Sequence, residues 1–503
     1  MQNKIQLKFL FFICFILISS SFYSQIAPAK GLAAIKESDL KKDLYDLAGD
    51  YFRGRGFGTV DELKAAVWLA EKMRNAGMTP AGDDSTFFQF FNLKRNKISP
   101  LSTVSIGAKP LKLWSDILVV QTAQADVDAD IIYIGQGTKE NIDAENLEGK
   151  IVALIPTYED INLNISFASG RFIRNLAGNK YEKLLAEKKV KGLIFIAADD
   201  FMIRGWEDQA HVFLKLGTYK LDDGDENKFP PVATMPMFWM KAKNTDLLKS
   251  DNKFKAHIFT ETFLYPSVNV IGKIEGTDKE LKKEYVLITS HTDHMGVRES
   301  QNGDSIYNGA DDNASACVAM LAIGRAYHQQ PAKRSQLFIS FGSEEPYLFG
   351  SYYYVNHPTI KKENIVAVLN ADLIGGNNID SAAILGTQGP HNVSPLLSKW
   401  AMEANMEGPK FKLDTLWDKP EHPQSFLYRS DHASFIEQGI PGVFFTTLLE
   451  TLYHTPKDEA NTINYPKLKK VTDWMYRTSW KVSNNTERPK FNPNFIYKGR
   501  KRS

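Results

Sequence analysis

The most constraining feature of this sequence is a regular alternation of strand-like and helix-like segments that begins near Ser267. Runs such as "EYVLITS", "QLFISFG", "NIVAVLNAD" and "PGVFFTT" are apolar enough for strands buried on both faces. Between them lie the helical stretches "SACVAMLAIGRAYHQ", "FGSYYYVNH", "VSPLLSKWAMEAN" and "YPKLKKVTDWMYRTSWKVS". Such alternation predicts an α/β fold, with a largely parallel mixed sheet flanked by helices on both faces.

Two regions before this alternation have a different texture. From Glu37 to Met78 the apolar spacing indicates two helices around the glycine-rich "RGRGFGT". Residues 111–262 contain "DADIIYIG", "GKIVALIP" and "GLIFIAA", which predict a separate, mostly β module inserted into the chain. The predicted organisation is therefore 1–24, a signal peptide; 25–110, the first part of the main domain; 111–262, the insert; 263–485, the rest of the main domain; and 486–503, a basic tail.

The amino end has the layout of a secretory signal peptide, with lysines, then "FLFFICFILI", then small polar residues. The alternative is a membrane anchor, but the apolar run is about half of the ~20 residues that span a bilayer. We therefore expect export to the periplasm, the cell surface or the medium. Removal of the segment would leave Cys317 as the one thiol, so no disulfide could form within a chain.

The charge balance excludes some partners. A formal net charge of +2 predicts neither nucleic-acid binding nor attraction to anionic lipid, and no second segment could span a membrane. The sequence leaves the oligomeric state open.

Polar residues follow the predicted strands at the points where those strands end. "VLITS" leads into His291 and Asp293, "LFISFGS" into Glu344 and Glu345, and "VAVLNA" into Asp372. "VFFTT" is followed within a few residues by His454, and "GADDNAS" precedes a helix. Ligands of parallel α/β sheets bind at the carboxyl edge, so these side chains are expected to lie together.

Each of these residues has a simpler explanation when taken alone. The aspartates could cap a helix, the paired glutamates could be solvated, and His291 could be a hydrogen-bonded structural histidine. Several carboxylates at one sheet edge, however, would repel one another unless cations lay between them. Mixed imidazole and carboxylate ligation suits zinc. Five ligands are too many for one tetrahedral zinc with an open position, so we predict two ions held by His291, one aspartate of the pair Asp311 and Asp312, Glu345, Asp372 and His454.

The stretches "HTDH", "GADDNAS", "SEEPYLFGS", "LNADLIGG", "YRSDHASF" and "YHTPKDE" together resemble the secreted co-catalytic dizinc aminopeptidases. The inserted module is similar to the protease-associated (PA) domain found in such enzymes. The resemblance implies a zinc aminopeptidase/phosphorylase-like fold. It also implies that His291, Asp312 and Asp372 hold one zinc, while Glu345 and His454 hold the other and Asp312 bridges. A cis peptide bond between Asp312 and Asn313 is expected as well.

The resemblance also implies roles for residues around the metals. Glu344 would be the general base, Asp293 would orient His291, and His294 would be a neighbour rather than a ligand. Tyr453 would stabilise the oxyanion, with Tyr428 as the rival.

The function implied is that of a metallopeptidase that hydrolyses the amino-terminal residue of peptide substrates. The alternatives are a dipeptidase or glutamate-carboxypeptidase-like exopeptidase, a one-zinc glutaminyl cyclase, and a non-catalytic receptor module. The complete ligand set argues against the last two. Pro346 and Ala316 depart from the family pattern, and these departures concern the shape of the substrate pocket.

Overall fold

The computed structural model describes residues 27–158, 175–199, 202–203, 205–206, 214–222, 235–301 and 303–497. The predicted signal peptide lies outside them. Contacts divide the chain into two compact units, the first formed by the chain up to residue 91 and from 266 onward, the second by residues 92–265.

The first unit is built on a mixed sheet. Most of its strands are those that the alternation predicts, although no strand was predicted at Lys412–Asp414 or, earlier in the chain, at Thr79–Pro80. In chain order they are β1 (Thr260–Ile274), β2 (Tyr285–His291), β3 (Ser335–Phe341), β4 (Ile365–Ala371), β5 (Ser381–Leu385), β6 (Lys412–Asp414) and β7 (Gly442–Thr446). The spatial order is β6-β5-β7-β4-β2-β3-β1, and β1 crosses the boundary between the units. Strands β3, β2, β4 and β7 are mutually parallel, whereas β1 runs antiparallel to β3 and β5 antiparallel to β7. The predicted α/β fold is thus confirmed.

Helices enclose this sheet because its central strands are buried along their whole length. All seven residues of β3 and of β4 are buried, which requires cover on both faces. The helices are α1 (Ala29–Ala34), α2 (Glu37–Leu47), α3 (Val60–Asn75), α4 (Ser315–Gln329), α5 (Glu344–Tyr347), α6 (Phe349–Asn356), α7 (Pro395–Glu407), α8 (His432–Glu437) and α9 (Tyr465–Asn484). A 3₁₀ segment, Asp50–Arg55, connects α2 to the loop before α3.

Helix α3 shows how local sequence sets these boundaries. The Thr59 side chain accepts a hydrogen bond from the Asp61 amide at 3.2 Å and caps the first turn. Acidic residues occupy that turn, and Lys72 and Arg74 occupy the last turn, so both ends complement the helix dipole.

The second unit contains an eight-stranded sheet of its own. Its strands, in spatial order, are Lys109–Leu111, Thr103–Ile106, Lys253–Ile258, Ala125–Gln136, Ile151–Ile155, Gly192–Ala197, Met237–Lys241 and Ile117–Val119. Two separate clusters of buried apolar residues accompany it. This unit begins before the predicted residue 111, because Thr103–Ile106 pairs with Lys253–Ile258 and so belongs to the same sheet.

Each helix in the described ranges is either too short or too polar to cross a lipid bilayer.

Part of the predicted basic tail packs against the first unit. Phe491, Phe495 and Tyr497 join a hydrophobic cluster with Tyr428, while residues 498–503 lie outside the described part.

Candidate metal centre

The carboxyl edge of the first unit's sheet carries the predicted site. His291 is the last residue of β2, and Asp372 directly follows β4. Their strands are parallel neighbours, with Thr289 opposite Asn370, so both side chains emerge at the same edge. Glu344 and Glu345 form the first turn of α5, three residues beyond the end of β3.

The other two predicted ligands come from loops. Asp312 lies in the turn that precedes α4, and its peptide bond to Asn313 is cis, the geometry that the resemblance implied. His454 lies beyond β7 and has a positive φ of 56°.

The structure brings all five predicted ligands together, with Asp312 between the others. The Asp312 Oδ1 atom is 3.4 Å from His291 Nε2, which is also 3.4 Å from Asp372 Oδ2. The other oxygen of Asp312, Oδ2, is 3.1 Å from His454 Nε2, which is 3.1 Å from Glu345 Oε2. One carboxylate therefore directs an oxygen toward each half of the site, which is what a bridging ligand must do.

Two imidazoles of the site have a buried nitrogen atom without a hydrogen-bond partner among the described residues. Although carboxylate oxygens surround them, the Nε2 atoms of His291 and His454 form no hydrogen bond with any described residue, and both are buried. A buried polar atom without a partner needs an explanation, and coordination of a cation supplies one. The donors divide into one group of His291, Glu344 and Asp372 and another of His294, Asp312, Glu345 and His454. Nitrogen and carboxylate donors together fit zinc.

His294 lies closer to the centre than the sequence indicated. Its Nδ1 atom is 2.7 Å from Glu345 Oε1 and 3.7 Å from Asp312 Oδ2, and its side chain is fully buried. Its ring lies edge-on to that of His454, with centroids 5.5 Å apart. The resemblance placed it as a neighbour, and the structure adds that it contacts the glutamate of the second group. Its position three residues after His291, just past a strand end, was the available signal.

Asp293 has different partners from those expected. Its carboxylate accepts hydrogen bonds from the amides of Glu344 and Glu345, at 2.9 and 3.2 Å. The Nδ1 atom of His291 instead contacts the main-chain oxygen of Asp293 at 3.1 Å, while the nearest carboxylate oxygen is 3.8 Å away. The carboxylate therefore positions the loop of the paired glutamates, because two backbone N–H groups of that loop point at it.

A second buried aspartate, Asp458, positions the loop of Asp312, and it was not predicted from the sequence. The Asp458 carboxylate accepts from the amides of Asp311 and Asp312, at 2.8 and 3.1 Å. It lies four residues after His454 in "YHTPKDE", and a bond to backbone amides leaves no pattern in the sequence that would reveal it.

The electrostatic environment separates the two glutamates. Burial raises the pKa of Glu344 well above its ordinary value, although His291 opposes the shift. For Glu345 burial acts in the same direction, but His454 and a hydrogen bond from His294 outweigh it and lower its pKa to about 2. The two pKa values are thus shifted in opposite directions, which suits a proton acceptor at Glu344 beside an ionised carboxylate at Glu345.

The remaining ligands also complement one another. Burial works against ionisation of Asp312, but the nearby imidazoles of His291 and His454 bring its pKa well below the ordinary value. Burial likewise opposes protonation of His454, but the charge of Glu345 and its contact with Asp312 raise its pKa to about 9.

Of the two candidate tyrosines, Tyr453 is adjacent to the centre. Its ring stacks on that of His454, with centroids 3.7 Å apart, and its hydroxyl accepts from Arg429 Nη2 at 3.2 Å. Tyr428 packs edge-on against His391 and Tyr497. Tyr453 therefore lies directly against a predicted metal ligand.

The fold and this site together define a mixed α/β protein with a paired-metal centre at the carboxyl edge of its sheet. Residues 269–479, which carry that centre, match the sequence profile of Peptidase family M28.

Named relatives agree with this assignment. The chain is 27% identical to aminopeptidase YwaD of Bacillus subtilis (strain 168) over 233 residues, 44% of this chain and 46% of the relative. It is 29% identical to a probable leucine aminopeptidase 2 of Aspergillus oryzae over 180 residues, 35% of this chain and 33% of the relative. The matched region thus spans less than half of either relative.

Solved structures show the same fold over most of the chain. An aminopeptidase from Aneurinibacillus sp. strain AM-1 superposes with a TM-score of 0.56 at 19% identity, covering 91% of this chain and 97% of that one. The zinc aminopeptidase BSAP from Bacillus subtilis gives a TM-score of 0.58 at 18% identity, with coverages of 90% and 97%.

Proposed function

We propose that this protein is a zinc-dependent exopeptidase, an aminopeptidase that removes amino-terminal residues from peptides with two zinc ions per chain. The observation that carries the proposal is the position of Asp312, whose two carboxylate oxygens face the two halves of the ligand set. The named aminopeptidase relatives support the choice of substrate class.

His291, Asp312 and Asp372 would hold one zinc ion, and Asp312, Glu345 and His454 the other. When bound, zinc polarises a peptide carbonyl and lowers the pKa of water to near neutrality. Glu344 follows β3 at the same edge, with an oxygen 3.9 Å from His291 Nε2. Its raised pKa suits a group that takes a proton from the attacking water as the oxygen–carbon bond forms. Glu344 then gives this proton to the leaving amine as the carbon–nitrogen bond breaks.

Tyr453 would donate its hydroxyl proton in a hydrogen bond to the oxyanion that develops on the carbonyl oxygen. Burial raises its pKa well above the ordinary value, so the hydroxyl keeps its proton at neutral pH. A preorganised donor of this kind typically contributes about 10²–10³-fold to turnover.

The test is zinc content together with substrate class. Purified protein should contain two zinc ions by elemental analysis and cleave leucine p-nitroanilide but not its N-acetylated form. Glu344→Ala should keep both ions and lose about 10²–10⁴-fold in turnover, because only the proton acceptor is removed. Glu37→Ala, in the first turn of α2, is the control that should leave turnover unchanged. Equal cleavage of the blocked substrate would refute the aminopeptidase assignment, and substantial activity of Glu344→Ala would remove that residue from the base role.

We also propose that the chain is exported after removal of residues 1–24, and that the second unit corresponds to the PA-like insert. The layout of the first 24 residues supports the first proposal. Amino-terminal sequencing of the protein from its natural source should begin at or near Gln25, and an intact Met1 in mature protein would refute it.

A further inference from the structure

Two buried charged residues near the amino end of the first unit have no part in the chemistry above. Arg55 and Glu62 are both fully buried, and they lie seven residues apart, around the glycine-rich "GFG". Burying a charge costs several kcal/mol unless hydrogen bonds satisfy it, so their partners are informative.

Arg55 donates to the loops that carry two of the metal ligands. Its Nε atom donates to the Thr292 carbonyl at 2.8 Å, directly after His291. Its Nη1 and Nη2 atoms donate to the carbonyls of Asn308 and Gly309, at 2.6 and 2.8 Å, just before the turn of Asp312. A fourth bond, to the Leu47 carbonyl at 3.1 Å, fixes the guanidinium to the end of α2.

Glu62 holds the third loop. Its Oε1 atom accepts from the Ser343 amide at 2.9 Å, directly before Glu344, and from the Ser267 hydroxyl at 2.8 Å. Its Oε2 atom accepts from the Gly58 amide at 2.8 Å, within the segment itself. The arginine thus donates to backbone carbonyls, and the glutamate accepts from two backbone amides and from hydroxyls, so most of these bonds hold the backbone of the site or of the segment itself.

Main-chain contact adds to these bonds. The Arg55 carbonyl accepts from the His294 amide at 3.2 Å. A Cβ atom on Gly56 would lie 3.1 Å from the Gly296 Cα atom, and one on Gly54 would lie 2.3 Å from the Tyr307 carbonyl oxygen. The glycines of "RGRGFG" therefore allow the segment to lie directly against the backbone around the ligands.

We propose that residues 55–62 form a positioning clamp for the metal centre, in which Arg55 fixes the loops of His291 and Asp312 and Glu62 fixes the loop of Glu344 and Glu345. These are positioning residues, since they hold the backbone that carries the metal ligands and the base. This inference rests on the proposed metal centre.

The chain supplies a matched control at the opposite edge of the sheet. Arg334 is also buried and donates to Glu284 at 2.6 Å and to the Val482 carbonyl at 2.7 Å. It directly precedes β3, whereas Glu344 follows the end of that strand. Seven strand residues at about 3.3 Å each separate the two edges, a distance of roughly 23 Å.

The experiment compares Arg55→Lys with Arg334→Lys and Glu62→Gln with Glu284→Gln in the full mature chain. A lysine cannot make the four bonds of Arg55, and a glutamine offers a donor where Glu62 offers a second acceptor. We expect Arg55→Lys to bind Co²⁺ about 10–100-fold more weakly, the usual effect of losing an outer partner of a metal ligand. Its kcat for leucine p-nitroanilide should fall while KM stays within about twofold. Glu62→Gln should weaken Co²⁺ binding in the same direction, and both controls should lower the melting temperature and leave Co²⁺ affinity unchanged.

Hydrogen exchange gives a readout that is independent of metal and substrate. Arg55→Lys should speed amide exchange in peptides that cover residues 290–296 and 306–313, and Glu62→Gln in one that covers 341–346, whereas the controls should not. If the wild-type protein bound no Co²⁺, the proposed function would fail and exchange alone would decide the clamp. Unchanged Co²⁺ affinity with unchanged exchange would overturn the clamp, as would equal changes in the clamp variants and their controls. If Arg55→Lys does not fold, Glu62→Gln decides by the same criteria.

Discussion

Replacing Asp293 with asparagine should separate the stability of the fold from the geometry of the metal centre. The Asp293 carboxylate is fully buried and accepts from the amides of Glu344 and Glu345. Asparagine has nearly the same shape but one acceptor oxygen, so one of the two amides would face an NH₂ group.

Two opposing contributions set the change in the free energy of unfolding. Losing a hydrogen bond to a charged acceptor costs about 1.5–3 kcal/mol. Against this, burial raises the pKa of Asp293 from 3.8 to about 6, although the charge of His291 opposes the shift and that of Glu345 adds to it. The unfolded chain ionises this carboxyl near pH 3.8, whereas the folded chain does so only near pH 6. Its contribution therefore destabilises the fold increasingly above pH 3.8 and reaches its full size above pH 6. At ~1.4 kcal/mol per unit this penalty is about 3 kcal/mol, and asparagine removes it.

The two contributions nearly cancel, so Asp293→Asn should unfold in urea at pH 7.5 within about 2 kcal/mol of the wild-type protein. Zinc affinity, by contrast, should fall about 10–100-fold and turnover should fall with it, because the loop of Glu345, the proposed ligand, and Glu344, the proposed base, loses a fixed contact.

The matched control is Asp418→Asn. Asp418 is equally buried and accepts from the amides of Gly386, Thr387 and Gln388. Those amides follow β5, which runs antiparallel to β7 and therefore ends at the other edge of the sheet. The control should lose stability and keep its zinc affinity. Wild-type zinc affinity and turnover in Asp293→Asn would refute the reasoning.

Three further outcomes follow from the site and its surroundings. His454→Ala should reduce the zinc content from two ions toward one, measured by elemental analysis after gel filtration, because His454 faces one half of the site. Zinc affinity should fall as the pH drops below about 9, by up to one log unit per pH unit, since zinc must displace the proton that the raised pKa of His454 retains; calorimetry in buffers of different ionisation enthalpy would reveal the released proton. Burial lowers the pKa of His432 to about 3. Below pH 6.5 the unfolded chain therefore binds a proton at His432 and the folded chain does not, so the free energy of unfolding should fall by about 2 kcal/mol between pH 6.5 and 5. His432→Gln should remove that loss in urea titrations at the two pH values.

The sequence could predict which side chains lie together at the site because most of them follow the end of a strand. The apolar run of β2 ends at His291, and that of β4 ends one residue before Asp372. The same few residues therefore indicated both where the strand ends and which side chain could bind a metal there. Parallel neighbours then bring the ends together. His454 follows the apolar run of β7 within a few residues, whereas the choice of Asp312 over Asp311 rested on the resemblance of "GADDNAS" to the family pattern.

The supporting contacts could not be predicted in this way. Asp458 binds an amide 147 residues before it, and Arg55 donates to a carbonyl 237 residues after it. Their partners are backbone groups, which every residue carries, so no side-chain type marks the pairing. The start of the second unit was hidden for a related reason. Its first strands are four and three residues long, and one pairs with a strand near residue 255.

The balance of charge at the centre explains why these supports are needed. Five carboxylates, those of Asp293, Asp312, Glu344, Glu345 and Asp372, lie buried together with three imidazoles. The raised pKa values of Asp293, Glu344 and Asp372, due first to burial, mean that the cluster resists carrying all of its negative charge. The repulsion would decrease if these groups moved apart, but buried hydrogen bonds to the backbone prevent that movement. Divalent cations would reverse the sign of the interaction, because each carboxylate would then face a positive charge, and their binding would stabilise the fold in proportion to the logarithm of their concentration over Kd. The contacts that position the predicted ligands therefore also hold mutually repelling carboxylates close together, and this repulsion favours the binding of cations.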